Sequence, residues 1–508
     1  MNILRRDLLV GGGALCLASQ VKVFAQTAAP LRERVYADKA PASLTSYKRA
    51  VGAMLALDAK DGRNWFRQAL IHVLDCPHDN WWFLPWHRGY LLNFENICRE
   101  LSGDDAFRLP YWDWTESPSV PLAFFDDELN PGNARFTEGY VRFREGAEDM
   151  LKSWWTGLTT EQLSQLSVRP TPLTDVDSIL AELDSHFYSG NGARDPSKDA
   201  PDLADDAKAN VKLAYIEGAL SVGKFDQFSS YKTNTHHDQG HQGTLESGPH
   251  GMVHYRTGGF MGAFLSPVDP IFWLHHANLD RLWDVWTRKQ ANANSAILPD
   301  KADIDAFKNE PFLFFHGKDG APLAKRCGDS LDLNGLGYAY EPGSAESVAA
   351  APVAPPANLT NVLFALNVGA DLRSGFEASG AITGLSEALS VVGDDSSSEL
   401  FTRITLTPPS DAKDVSVRVY INCPYLSKFT PVDDPHYVGT ISFFSAMHRS
   451  QHHSNEVTVL LPLGVALKAL GEQKELPRSA IKVQLIPIAE NPSQTVDGML
   501  QSVTVEVL

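Results

Sequence analysis

Two stretches of the chain gather histidines at spacings that can hold metal ions. The first contains His72, His78 and His87, with Cys76 two residues before His78 and Phe83-Leu84-Pro85-Trp86-His87-Arg88 closing it. The second contains His250 and His254, then Asp269-Pro270-Ile271-Phe272-Trp273-Leu274-His275-His276. Neutral imidazole is a borderline-soft donor that suits copper, zinc, iron and nickel. Three rings per ion point to a dinuclear centre, and copper is the redox metal that all-imidazole ligation suits. A spacing of four puts His250 and His254 on one helix face. Spacing alone leaves His275 and His276 open as the third ring. Asp280, four residues beyond His276, is expected to reach the non-ligating nitrogen of a ligand histidine. A dizinc hydrolase would normally add a carboxylate ligand, which the triads lack.

Elements that could position these rings are legible. Leu44, Tyr47, Val51, Met54 and Leu55 recur at helical spacing, with Ser43 a candidate N-cap. Helical patterns return near 86–101, 208–221 and 275–290. The expected core is therefore α-helical, with ligands on facing helices as in other dimetal bundles. Residues 341–358, rich in Ala and Pro, read as a linker. Beyond it the period changes to two: Val415, Val417, Val419 and Ile421 alternate with other residues, as do Ile481, Val483 and Leu485, and Val503, Val505 and Val507. With strand-like runs at 401–406 and 457–461, residues 359–508 read as a β-sandwich.

Composition agrees with a multi-domain globular protein. The chain has 508 residues, 43% hydrophobic and 21% charged, and a formal charge of −18. That charge argues against nucleic acid and anionic membranes as partners. Five scattered cysteines make no disulfide framework. Arg5-Arg6 followed by the apolar stretch Leu8 to Ala25 reads as a twin-arginine signal over 1–25, implying a periplasmic or secreted product that is not an integral membrane protein once the signal is removed.

The motifs together resemble those of the tyrosinases, a family of coupled dinuclear (type 3) copper proteins that includes catechol oxidases and hemocyanins. The resemblance rests on His72, His78 and Phe83 to Arg88; on Leu109-Pro110-Tyr111-Trp112-Asp113-Trp114; on Pro249, His250, His254 and Gly258-Gly259; and on Asp269 through Trp283. It implies a four-helix-bundle dicopper core over 26–340. His72, His78 and His87 would ligate one copper and His250, His254 and His276 the other, with His275 adjacent. Tyr338-Ala339-Tyr340 resembles the motif that closes the core, paired with Arg32 or Arg34. The resemblance further implies a Cys76–His78 thioether, as in fungal tyrosinases and molluscan hemocyanins, and a water held by Glu246.

Phenols, catechols and O2 are the implied small-molecule partners, with o-quinones as products; self-association is a further option. Two positions speak to specificity. Gly251 stands where many tyrosinases have an asparagine that assists phenol deprotonation. Gly262 and Ala263 stand where plant catechol oxidases have a bulky phenylalanine, so phenols are expected to enter more readily. The C-terminal domain resembles the lid of long family members and is expected to make the chain latent, with Tyr425, after the strand ending at Ile421, as the plug. A catechol oxidase with little monophenolase activity, or a hemocyanin-like O2 carrier, would use the same six rings. Of the other histidines, His236, His237 and His241 in a polar loop and His448, His452 and His453 in the C-terminal domain form two further clusters, either of which could bind a metal adventitiously or help copper loading; the expected reading is solvated loop histidines, and His186 and His316 carry no signal.

Overall fold

The computed structural model describes residues 29–508 except 38, 170, 190–192, 351–361, 374, 382–399, 445–455, 478–479, 492–493 and 495. The twin-arginine signal and His448, His452 and His453 lie outside the described residues. Among the described residues no helix is long and apolar enough to cross a membrane.

Five helices build and brace the histidine region. They are α1 (Ser43–Ala56), α2 (Trp65–Asp75), α3 (Phe83–Ser102), α4 (Gly251–Thr257) and α5 (Ile271–Asn292). Asn64 starts α2 by accepting the N–H groups of Phe66 and Arg67. Pro77 forces the preceding residue out of the helical region, so α2 ends at Asp75 with Cys76 extended. α3 tolerates Pro85 in its first turn, where N–H groups lack helical partners. It stops at Gly103, whose φ of 67° closes the C-terminus. A single π turn, Glu246–His250, precedes α4 and accommodates Pro249. α1, expected to be capped by Ser43, instead has Ala42 at its cap; Ser43 donates its hydroxyl to Glu33 at 3.1 Å. The pattern at 208–221 resolves into two short helices, Asp205–Val211 and Leu213–Ser221, broken at extended Lys212.

The core thus meets the coarser expectation of a helical domain, its four ligand-bearing helices being of unequal length: 11, 20, 7 and 22 residues for α2 to α5. Two short parallel ladders fasten its ends, Leu31–Arg32 to Ala339–Tyr340 and Arg34–Val35 to Tyr111–Trp112. The boundary drawn at 341 is corrected. Residues 341–350 belong to the core: Ala345 and Ala349 are buried in it, Arg281 donates to the Ser344 carbonyl at 2.9 Å, and Asn292 donates to that of Ala349 at 2.7 Å. Their Ala-rich composition fits a short helix, Glu346–Ala350, as well as a linker.

The C-terminal domain is the expected β-sandwich. Its strands are β1 (Val362–Asp371), β2 (Phe376–Ala381), β3 (Leu400–Thr407), β4 (Val415–Ile421), β5 (Tyr437–Ser442), β6 (Val457–Pro462), β7 (Ala480–Ala489) and β8 (Met499–Val507). They form two antiparallel sheets, ordered β5-β4-β7-β2 and β6-β3-β8-β1. Val417, Val419, Ile481, Val483, Leu485, Val503 and Val505 point into the shared interior. Edge strands carry unpaired backbone groups that need covering. Here one edge of each sheet, β5 and β6, meets the helical core. Asn210 imitates a strand neighbour: its side chain donates to the Thr440 carbonyl at 2.9 Å and accepts the Thr440 N–H at 3.1 Å. Ser247 donates to the Leu460 carbonyl at 2.8 Å, and the Gln242 N–H to that of Thr458 at 2.9 Å.

Candidate metal centre

The six expected imidazoles converge. His72 lies near the end of α2, His78 in the loop after it, and His87 in the first turns of α3. Their rings lie 5.6 to 5.8 Å apart, centre to centre. His250 ends the π turn, His254 follows one turn later in α4, and His276 sits in α5. Those three rings are 4.7 to 5.4 Å apart. The triads abut: His87 stacks on His276 at 4.0 Å and His78 on His250 at 5.5 Å. Every one of these side chains is buried.

Hydrogen bonds fix which nitrogen faces inward. His72 Nδ1 donates to the Phe264 carbonyl at 2.7 Å, His87 Nδ1 to that of Phe83 at 2.8 Å, and His254 Nδ1 to that of Met261 at 2.7 Å. A neutral imidazole that donates from Nδ1 presents a lone pair at Nε2. Burial, with the neighbouring imidazoles, drives these rings well toward the neutral form; His78 and His254 fall to about 3. The buried Nε2 atoms of His72 and His250 have no hydrogen-bond partner among the described residues. Unpaired buried nitrogens are costly, and metal ligation removes that cost. The donor set therefore fits two ions held by three imidazoles each.

The structure also separates His275 from His276. Trp114 Nε1–H donates to His275 Nδ1 at 3.1 Å, so the neutral His275 ring carries its proton at Nε2 and offers no inward lone pair. His276 Nε2 instead points at His254 Nε2, 3.2 Å away. His276 is the better third ring.

Cys76 Sγ stands 3.7 and 4.0 Å from His78 Nδ1 and Nε2, and 3.5 Å from His87 Nε2. Glu246 is buried; its two oxygens accept the Asp79 N–H at 2.9 and 3.1 Å, and one also accepts the Ser230 hydroxyl. It thereby pins the residue after His78.

Four expectations are corrected. Asp280 contacts no ligand histidine. It accepts from Arg88 at 2.5 Å, Tyr338 at 2.7 Å, Tyr340 at 2.6 Å and Arg32 at 3.4 Å, because α5 turns it toward the closing ladder. This also chooses between the two arginines: Arg32 stacks on Tyr338, while Arg34 pairs with Glu116 at the surface. Tyr425 is not at the rings. It is 58% exposed and bonds Asp434 at 3.1 Å, because its turn lies away from the core. The aromatic that reaches the centre is Phe444, 2% exposed, stacked on His254 at 4.1 Å and edge-on to His250 and His78 at 5.7 and 5.9 Å. The small pair Gly262-Ala263 does not leave the first triad open either. The next residue, Phe264, lies 5.3 Å from both His72 and His78. Finally, His236 and His237 are buried, not solvated.

Phe83 and Phe272 complete the walls, Phe83 at 4.7 Å from His250 and Phe272 at 4.3 Å from His276. Both lie in the quoted motifs, but nothing in their spacing marks them as ring neighbours. Phe444 follows β5, a strand absent from the alternation pattern. All six β5 residues are buried, since the core covers one face and the sandwich the other.

Residues 47–289 match the family model described as the common central domain of tyrosinase. A tyrosinase of Hahella sp. (strain CCB-MM4) is 27% identical over 349 residues, covering 61% of this chain and 63% of that protein. The chloroplastic polyphenol oxidase of Malus domestica is 27% identical over 336 residues, covering 61% of this chain and 47% of that protein. The aligned part thus spans less than two thirds of the length of either curated relative. Among solved structures, latent aurone synthase (polyphenol oxidase) from natural source superposes with a TM-score of 0.59 at 18% identity, over 94% of this chain and 89% of that one. Latent apple tyrosinase gives 0.56 at 20% identity, over 94% and 97%. At these identities the likeness is one of fold, and it extends over both domains.

Proposed function

The chain belongs, through residues 47–289, to the tyrosinase family, and from that premise we propose that it is a dicopper oxidase of phenols held latent by its own C-terminal domain. One observation carries the reading: six buried, neutral imidazoles meet face to face in two triads. The four helices α2 to α5 are then the four-helix bundle of the family core. Copper held by His72, His78 and His87 and by His250, His254 and His276 would supply dioxygen activation and accept electrons from a phenol or catechol, yielding an o-quinone.

The protein's own part is position, dryness and proton transfer. Phe83, Phe264 and Phe272 exclude water around the rings. Phe444 lies flat on His254, where an aromatic substrate ring would lie. Burying a phenylalanine side chain is worth about 1.5–3 kcal/mol, enough to compete with a small phenol for the same surface. Glu246 is the buried carboxylate next to His78 and accepts the phenolic proton through a water. Cys76 joins His78 through a thioether, with loss of two hydrogens to O2 during copper loading. The arginine pair in the leader fits export of the folded protein.

A second reading is favoured by Phe264. Its ring roofs the first triad, and Gly251 offers no side chain for deprotonation, so catechols are oxidised better than monophenols are hydroxylated. The test is O2 uptake by copper-loaded full-length protein and Phe444→Ala, each with a catechol and a monophenol. The proposal expects quinone from catechol and at least a several-fold gain in the variant. Reversible O2 binding without quinone would instead mark a carrier. Two coppers per chain with neither uptake nor O2 binding would sink both readings.

A further inference from the structure

Beside the first triad lies a separate group of donors. Asp75 is the last residue of α2, and His236 and His237 come from the segment between Tyr231 and Gln242. Asp75 Oδ1 is 3.0 Å from His236 Nε2 and 3.8 Å from His237 Nε2. The three donor atoms lie within 4.8 Å of one another, and all three side chains are buried. Glu310 aims the first ring. His236 Nδ1 donates to Glu310 Oε1 at 2.6 Å, and the His236 backbone N–H donates to the same oxygen at 2.9 Å. Nε2 is thereby left facing Asp75. His237 Nε2 is buried and has no hydrogen-bond partner among the described residues. A histidine backed by a carboxylate, a second free imidazole and a carboxylate oxygen are the parts of a transition-metal site.

We propose that Asp75, His236 and His237 bind a third, mononuclear divalent transition ion, zinc or copper(II). The ion takes the place of the proton that His236 otherwise shares with Asp75 at Nε2, and that proton leaves to solvent. It also gives His237 Nε2 the partner it lacks. Asp75 Oδ2 accepts the Trp86 Nε1–H at 2.8 Å, which leaves Oδ1 to face both rings; the buried Arg169 guanidinium acts electrostatically on Asp75 and His237, and the ion binds beside that charge.

The site has a structural consequence for the first triad. Asn80 Nδ2 reaches the carbonyls of His78, His236 and Asp238 at 3.0, 2.9 and 3.1 Å. The Gly240 N–H donates to the Asp79 carbonyl at 2.9 Å. An ion at Asp75 therefore fastens the 231–242 segment to the end of α2, and through Asn80 to the loop that carries His78. The proposal does not rest on which ions the six-histidine centre holds.

The test uses metal-free full-length protein incubated with micromolar zinc chloride or, separately, copper(II) sulfate. Bound metal per chain is counted by mass spectrometry, and crystals are measured at the zinc and copper absorption edges. Three ions per chain are expected in at least one arm, with an anomalous peak between Asp75, His236 and His237. His237→Ala, which leaves the Asp75–His236–Glu310 chain intact, should remove that ion and keep the other two. The wild-type diffraction decides the matter even if the variant fails to fold. Absence of the peak in both arms overturns the proposal, as does filling only at millimolar metal or a variant that keeps its third ion.

Discussion

His78 reaches the first triad from the loop between α2 and α3, whereas all three rings of the second triad ride on helical segments. The loop is held from outside: Glu246 accepts the Asp79 N–H, and Asn80 bonds three carbonyls around it. Within the loop, Cys76 stands beside the His78 ring. The second triad needs no loop ties, because a spacing of four across the π turn and α4 and the register of α5 set its rings, with the Met261 carbonyl holding His254. It is instead the triad most closely covered by the C-terminal domain, through Phe444 on His254. One triad therefore depends on its loop, and the other on helix packing and on the C-terminal domain.

Substitutions can break or sharpen that contrast. The largest effect is expected at the rings themselves. His78→Ala and His254→Ala should each lose one ion of the pair, with turnover falling on the order of a hundredfold or more, since even partners one shell out cost that much. Metal analysis with catechol oxidation checks this, and two ions retained in either variant would remove the basis of the comparison.

Asp280→Asn is expected to cost about 3–5 kcal/mol of stability, because Arg88 would be left buried without its carboxylate, while Arg32 keeps Glu95 at 2.8 Å. This cluster braces α3 against α5 behind both triads, so both ions should loosen together. Burial alone would raise the Asp280 carboxyl, but Arg88, Arg32 and the hydroxyls of Tyr340 and Tyr338 outweigh it and hold it below 3.8. A carboxyl lowered on folding stabilises fully above its unfolded value and loses that contribution as pH falls below 3.8 through the folded value. Denaturant titrations at several pH values should show this acid limb in the wild type and a flatter one in the variant.

Asn80→Ala should act on one side only. Loss of its three bonds frees the His78 loop, and affinity for the ion of the first triad is expected to fall about tenfold while the second is unchanged. Chelator competition measured ion by ion would show it; equal weakening of both ions would contradict the division drawn here.

The smallest effect is expected at Gly251. A Cβ there would come within 2.9 Å of Ser442 Oγ at the end of β5. Gly251→Ala should lift the lid slightly and raise catechol turnover less than tenfold, equivalent to less than about 1.4 kcal/mol. Gly251→Ala combined with Ser442→Ala should return to the wild-type rate.

Most of the residues that converge at the candidate centre are legible in the sequence. Three imidazoles per stretch, a four-residue helical spacing and alternating valines are local signals, and each led to the right element. Residues whose partners come from distant segments were misread. Asp280 has the spacing of a histidine partner, yet its neighbours Arg32, Tyr338 and Tyr340 lie 248, 58 and 60 residues away in sequence. His236 and His237 sit in polar sequence but are buried by Asp75 and Glu310, which come from elsewhere in the chain. Tyr425 and Phe444 each follow a strand, and only the docking of β5 on Asn210 determines which turn faces the rings.

Donor chemistry, helical and strand period and the change of pattern near residue 359 are properties of short stretches, so the amino-acid order alone determined them. Which nitrogen faces inward, whether His275 or His276 completes the triad, what Asp280 holds and which aromatic covers the centre were decided by tertiary structure. Each depends on a group from a distant part of the chain or on a neighbouring carbonyl brought close by folding, and no spacing rule carries that information.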